Sequence, residues 1–123
     1  IRSIGMKITI CCSMKFRDKI EQTIKELQEL GHEPLFPNLD TEMPDAELTI
    51  EQKKALALDH YAAIEQSDAV YFILPDGYMG TSCKLELCYS IAMKKPIYFS
   101  EPTGDIGLDC YPKEIGAINK MFH

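Results

Sequence analysis

The feature that most constrains this chain is a strand–helix–strand pattern between residues 68 and 101. Residues 69–74 form an uninterrupted apolar run of strand length, rich in β-branched and aromatic side chains. Residues 75–77, which include a proline and a glycine, end the run, and a helical segment follows residues 80–82. A second apolar strand is predicted over residues 96–100. Strands this apolar are typical of a parallel sheet that is covered on both faces.

The rest of the chain repeats the alternation of strands and helices. Apolar residues at helical spacing predict an amphipathic helix over residues 16–30, which Gly31 ends. Thr49 and Gln52 have the spacing of a capping box, which opens a second helix that ends near Ser67. Two further strands are predicted at residues 6–12 and 32–36, and the second lies at a sheet edge because it contains proline. Loops are predicted at residues 37–47 and 101–110. A terminal helix is predicted from residue 111, with Ile115 and Ile118 facing inward.

This alternation predicts an α/β fold with a parallel sheet of about four to five strands and helices on both faces. Ligands of such folds bind beyond the carboxyl ends of the strands, where the strand order reverses. The loops at that edge are residues 13–15, 37–47, 75–82 and the loop after residue 100. The sequence therefore predicts a ligand site at this edge of the sheet.

Composition narrows the function classes. A formal net charge of −6 argues against a nucleic acid polymer as a partner, because such binding relies on neutralising phosphates. The chain has neither an apolar run of membrane-helix length nor the layout of a signal peptide, so we expect a cytoplasmic protein. We expect one domain over residues 6–123, and residues 1–5 before Met6 are interpreted as a leader.

No cofactor or metal site is predicted from motifs. The loop after the first strand lacks the GxGxxG pattern of dinucleotide sites, and no Walker motif is present. The five cysteines lack the spacing of zinc ligands or of a disulfide framework.

Glu86 is the residue of the central helix in which we expect chemistry. It lies among apolar residues in what we predict to be an exposed first helical turn, after Thr81 and Ser82, either of which can cap the helix. The alternative is that Glu86 complements the helix dipole in solvent.

Three segments together resemble the nucleoside 2-deoxyribosyltransferase-like superfamily. They are residues 8–15 (ITICCSMK), 60–73 (HYAAIEQSDAVYFI) and 78–96 (YMGTSCKLELCYSIAMKKP). The resemblance implies a flavodoxin-like, three-layer fold. It also implies Glu86 as the nucleophile that attacks C1′ of a nucleoside or nucleoside 5′-monophosphate, forming a glycosyl-enzyme ester. Relatives complete their sites across subunits, so a homo-oligomer is implied.

The chain departs from the family pattern in two places. Characterised transferases carry an aspartate shortly before the nucleophile, whereas this chain has Gly80 there, and Asp76 is the nearest candidate. A second family aspartate falls on His60, with Asp59 beside it. His60 is interpreted either as an acid that works near neutral pH or as a hydrogen-bonded helix histidine.

The loops suggest how a substrate would be held. Ser13 and Lys15 follow the first strand, where relatives place phosphate-binding residues; a helix cap and a solvated lysine are the alternatives. The residues predicted to bind substrate are Ser13, Met14, Lys15, Asp76, Tyr78, Gly80, Thr81 and Ser82.

Two functions other than an enzyme are considered. One is a domain that binds and senses a nucleotide in the same cleft without turnover. The other is a receiver-like signalling domain, which is disfavoured because Cys11 and Cys12 stand where a receiver has acidic residues.

Overall fold

A five-stranded, all-parallel sheet forms the centre of the molecule, seen here in a computed structural model that describes residues 5–36 and 47–122. The elements are β1 (Lys7–Cys11), α1 (Arg17–Glu29), β2 (Glu33–Leu35), α2 (Ile50–Gln66), β3 (Ala69–Phe72), α3 (Thr81–Ala92), β4 (Ile97–Phe99), α4 (Ile106–Asp109), β5 (Glu114–Ile115) and α5 (Ile118–Met121). The strand order is β2-β1-β3-β4-β5, the order of flavodoxin-like folds. The predicted fold class is confirmed, and β2 is an edge strand as its proline indicates.

One face of the sheet is covered by α1 and α5. Ile20 and Leu27 of α1 are fully buried against the sheet, as the apolar stripe of this helix predicts. Ile118 and Phe122, in α5 and directly after it, join the same cluster.

The other face is covered by α2 and α3. Ile64 of α2 and Leu87 of α3 pack with the strand residues Val70, Phe72 and Phe99. The sheet therefore has a helical layer on each side, and its central strands β1 and β3 are buried.

The start of α2 matches the prediction in detail. The Thr49 hydroxyl accepts a hydrogen bond from the Gln52 amide, and the Gln52 side chain accepts one from the Thr49 amide, which completes the capping box. The predicted loop at residues 37–47 lies outside the described residues except for Glu47.

The start of α3 differs from the prediction. Gly80 is the N-cap residue, and Thr81 and Ser82 already lie inside the helix, so the expected capping by either hydroxyl is wrong. The amides at the start of α3 are consequently left without a side-chain cap, at the edge where the loops converge.

The C-terminal part also differs. The predicted loop at 101–110 contains the short helix α4, and the predicted terminal helix from residue 111 begins only at Ile118. The Lys113 and Gly116 amides donate to the carbonyls of Ile97 and Phe99, which draws the intervening residues alongside β4 as β5. Ile115 is therefore 41% exposed rather than turned inward.

Candidate active site

A cleft of about 760 Å³ opens beyond the carboxyl ends of β1 and β3. These strands are neighbours, and the chain leaves them toward opposite sides of the sheet order, which makes this the topological switch point. The walls come from the loops after β1 and β3 and from α2 and α3. The site lies where the topology predicts it.

The cleft brings together most of the side chains that the sequence singled out. The predicted site residues that line it are Ser13, Met14, His60, Tyr78, Gly80, Thr81, Ser82 and Glu86. Three others do not line it. Asp59 and Asp76 are exposed outside the cleft, and Lys15, which does not line it, contacts the ring of the cleft residue Tyr78.

Helix α2 contributes a wall that the sequence analysis missed. Lys53, Ala57 and Tyr61 line the cleft together with His60. Residues three and four apart share a helix face, so the position of His60 was the signal that could have identified Lys53 and Ala57.

Glu86 is buried, which corrects the prediction of an exposed first-turn residue. It belongs to the second turn of α3, its exposure is 8%, and neighbouring Leu85 occupies the exposed face at 55%. The alternative of a carboxylate that complements the helix dipole in solvent is therefore wrong. Burial raises the pKa of Glu86 to about 7, although the Cys11 thiol and the charge of Lys53 act in the opposite direction.

His60 is buried beside Glu86 and is uncharged at neutral pH. Its Nε2 lies 2.9 Å from the carbonyl oxygen of Ile10 and 3.9 Å from Oε2 of Glu86. Burial lowers the pKa of His60 to about 4, although the bond to Ile10 acts in the opposite direction. The bond to Ile10 fits the interpretation of His60 as a hydrogen-bonded helix histidine, and the lowered pKa argues against an acid that works near neutral pH.

Cys11, His60 and Glu86 form a buried cluster whose potential ligand atoms lie within 4.8 Å of one another. Zinc binds such side chains in proteins. However, the Nε2 atom of His60 that faces the cluster is engaged by the Ile10 carbonyl, and a metal ion would have to break that bond. We therefore assign the cluster to hydrogen bonding.

Tyr78 connects the two loops that follow β1 and β3. The ammonium group of Lys15 lies 3.6 Å from the centroid of its ring, and the Phe16 ring meets it edge-on at 5.9 Å. A Cβ atom at Gly80 would lie only 3.2 Å from the Tyr78 hydroxyl. The absence of a side chain at Gly80 therefore leaves room for the Tyr78 ring. Tyr78 stands as one wall of the cleft, with 44% exposure.

Solved structures with the same fold include enzymes that act on nucleosides and nucleotides. A 2-deoxyribosyltransferase from the psychrotolerant bacterium Bacillus psychrosaccharolyticus has a TM-score of 0.71 and 20% sequence identity, over 95% of this chain and 90% of that chain. The Clostridium botulinum CMP N-glycosidase BcmB has a TM-score of 0.55 and 21% identity, over 89% of this chain and 87% of its own. A conserved protein from Enterococcus faecalis V583 has a TM-score of 0.66 and 10% identity, over 98% and 96%.

The first two proteins belong to the nucleoside 2-deoxyribosyltransferase-like superfamily. The fold that the resemblance implies is thus confirmed, because the fold is what these structures share with the chain. No family model and no curated protein matches the chain. Within residues 5–36 and 47–122, no helix is both long and apolar enough to cross a membrane.

Proposed function

We propose that this protein cleaves the N-glycosidic bond of a nucleoside or nucleoside 5′-monophosphate, with Glu86 as the nucleophile. The observation that carries the proposal is a carboxylate with 8% exposure that lines a cleft at the topological switch point. Two proteins of the same fold, a 2-deoxyribosyltransferase and a CMP N-glycosidase, support this class of chemistry.

The burial of Glu86 suits a nucleophile at a carbon that becomes cationic. As the C1′–N bond breaks, the base leaves with the bonding electrons and C1′ acquires oxocarbenium character. The ionised carboxylate then forms a bond to C1′, and the resulting ester is neutral. Because an ionised carboxylate is poorly solvated in this position, attack on C1′ removes an unfavourable buried charge. Water or a second base would resolve the ester, giving hydrolysis or transfer.

The leaving base needs hydrogen bonds rather than a strong acid in this cleft. His60 is neutral and donates to Ile10, so it does not supply a proton. Tyr78 lines the same cleft as Glu86, and its hydroxyl can donate to a base that stacks against its ring. We assign Tyr78 and Met14 to the base side of the cleft, and Asp59 and Asp76 to no catalytic role.

A 5′-phosphate would fit the loop after β1 and the start of α3. Ser13 lines the cleft beside Thr81 and Ser82, and the helix start offers amides without a side-chain cap. Lys53 also lines the cleft and adds positive charge. Lys15 does not line the cleft, and its ammonium group lies over the ring of Tyr78.

A second candidate function is nucleotide sensing without turnover. The observation that favours it is Gly80, which leaves the cleft without a carboxylate at that position to bind the base. A sensor would use the same walls, and it would not depend on the charge of Glu86.

We further propose a homo-oligomer that covers apolar residues near the cleft. On α2, Ile50 is 88% exposed and Leu58 is 55% exposed, and Leu85 of α3 is 55% exposed at the cleft itself. An interface between subunits would bury these apolar side chains. Light scattering coupled to size-exclusion chromatography should give a mass above 14.0 kDa, and Leu85→Glu should lower it.

The proposed activity is tested by release of free base from ribo- and deoxynucleosides and their 5′-monophosphates, with and without an acceptor base. Wild type should release base from at least one substrate, and Glu86→Gln should lose at least a thousandfold in rate. Glu29→Gln, an exposed glutamate at the end of α1, is the matched control and should keep full rate.

Full activity of Glu86→Gln would overturn the nucleophile assignment. No release from any substrate, together with thermal stabilisation by one nucleotide, would favour the sensor.

A further inference from the structure

Cys11 is a buried thiol that the chemistry above does not use. It ends β1, is 0% exposed, and lies within 4.8 Å of Glu86, which lines the cleft. Its Sγ lies 3.5 Å from Nε2 of His60, and the Glu86 carboxylate lies within 4.8 Å of both. The three side chains come from β1, α2 and α3.

The hydrogen positions of this cluster follow from the partners. The Ile10 carbonyl can only accept a hydrogen bond, so the Nε2 atom of His60 that contacts it must carry a hydrogen. That Nε2 has no lone pair left and cannot accept from Cys11. Of the other two side chains in the cluster, the Glu86 carboxylate, within 4.8 Å of the thiol, is therefore the one to which the Cys11 hydrogen can be directed.

Other ionisable groups around Glu86 act through charge alone. They are Cys12 directly after β1, Lys53 and Tyr61 from α2, and Cys83 from α3. Burial raises the pKa of Cys12 to about 12, so that thiol is neutral near pH 7, and the pKa of Cys83 is raised for the same reason. Lys53 therefore remains as the charged neighbour that favours ionised Glu86.

We propose that Cys11 is a positioning residue, whose S–H donates to the Glu86 carboxylate and holds it toward the cleft. His60 contributes by fixing its own hydrogen on Ile10, which leaves the thiol hydrogen for Glu86. A thiol is a weak donor, so it orients the carboxylate without quenching its nucleophilicity as a stronger donor would. Its role in catalysis rests on the proposed function, whereas the contact itself does not.

The contact is tested by the pKa of Glu86, read from the side-chain carboxyl carbon by NMR in protein labelled with ¹³C-glutamate. Cys11→Ala should raise this pKa by roughly 0.5 to 1 unit, because the ionised form loses a hydrogen bond. Cys11→Ser keeps a donor and should restore the wild-type value or lower it. Cys83→Ala removes another buried thiol that lines the cleft and should leave the pKa unchanged.

An unchanged pKa in Cys11→Ala, or an equal rise in Cys83→Ala, would overturn the proposal. Infrared spectra of wild type give a second reading that needs no change at Cys11. One S–H stretching band should move to lower wavenumber between pH 5 and pH 9, and it should stay fixed in Glu86→Gln. Immobility of every S–H band in wild type would equally overturn the proposal.

Measurements of turnover separate the contact between Cys11 and Glu86 from the proposed catalytic activity. If wild type releases base, Cys11→Ala should lower kcat about three- to tenfold with KM unchanged, and Cys11→Ser should recover it. Absence of turnover in wild type with a shifted pKa would reject the proposed function and retain the contact.

Discussion

The two faces of the sheet are built from different chemistry. On the side of α1 and α5, Phe122 packs against the rings of Tyr71 and Tyr98, with centroids 5.9 and 4.6 Å away. On the side of α2 and α3, the ionisable side chains of His60 and Glu86 are buried at the carboxyl edge. The first face stabilises the fold through apolar contact, whereas the second retains groups that cost stability. Such a cost is expected where a site is built for chemistry.

The largest effect should come from the apolar face. Phe122→Ala removes a ring that is 1% exposed, and we expect the free energy of unfolding to fall by about 3 to 5 kcal/mol. Urea unfolding followed by circular dichroism measures it. Phe122→Leu is the control and should lose less than half as much, since it keeps most of the apolar volume. A loss under about 1 kcal/mol for Phe122→Ala would mean that this end of α5 does not contribute to the core.

On the polar face, removal of a charge should stabilise the protein. The pKa of Glu86 is raised from 4.5 to about 7, so the folded state binds more protons than the unfolded state between these values. The stability associated with protonated Glu86 is present below pH 4.5 and is lost as pH rises through 7. At pH 8 we therefore expect the free energy of unfolding of Glu86→Gln to exceed that of wild type by up to about 3 kcal/mol.

The same comparison at pH 4.5 should show little difference between Glu86→Gln and wild type, because both side chains are then neutral. Chemical unfolding at both pH values makes the measurement. Equal stability of the two proteins at pH 8 would show that Glu86 is solvated when ionised. Glu29→Gln again serves as the exposed control, with no expected change at either pH.

Much of the apolar scaffold could be predicted from the sequence. The run at residues 69–74 and the stripe that contains Ile20 and Leu27 carry their own periodicity, and they became the central strand and a packed helix. The short strand β5 could not be predicted in this way, because its two residues are exposed and it exists through backbone bonds to β4. Such pairing leaves no signature in side-chain pattern.

The position of the site could be predicted from the sequence, but the burial and charge states of its residues could not. Topology placed the loops of Ser13 and Gly80 at one edge, and a family resemblance singled out Glu86. The burial of Glu86 depends on how α3 is rotated against α2, and the neutral state of His60 depends on its own burial. Both are tertiary properties that spacing along one helix does not contain.

The pH dependence of activity should follow the ionisation of Glu86. If Glu86 acts in its ionised form, the kcat/KM for an uncharged nucleoside should rise about tenfold between pH 6 and pH 8, with a midpoint near 7. His60, with a pKa near 4, should add no falling limb in this range. Initial rates in a buffer series of constant ionic strength measure the profile. A bell with a limb near pH 6.5 would instead assign His60 the acid role.

The smallest expected effect lies at the rim, where an exposed contact joins the loops after β1 and β3. The Lys15 ammonium over the Tyr78 ring should be worth about 0.5 to 1 kcal/mol, as exposed cation–π contacts are. A double-mutant cycle with Lys15→Met and Tyr78→Leu isolates it, read as the free energy of unfolding in urea. The coupling energy should weaken little in high salt, since the ring carries no charge.

If the effects of the two single substitutions are additive, Tyr78 keeps its position without Lys15, through its contact with Phe16 and the space left by Gly80. In that case Lys15 would be free to meet a phosphate, and a selective rise in KM for monophosphates over nucleosides in Lys15→Met would show that it does.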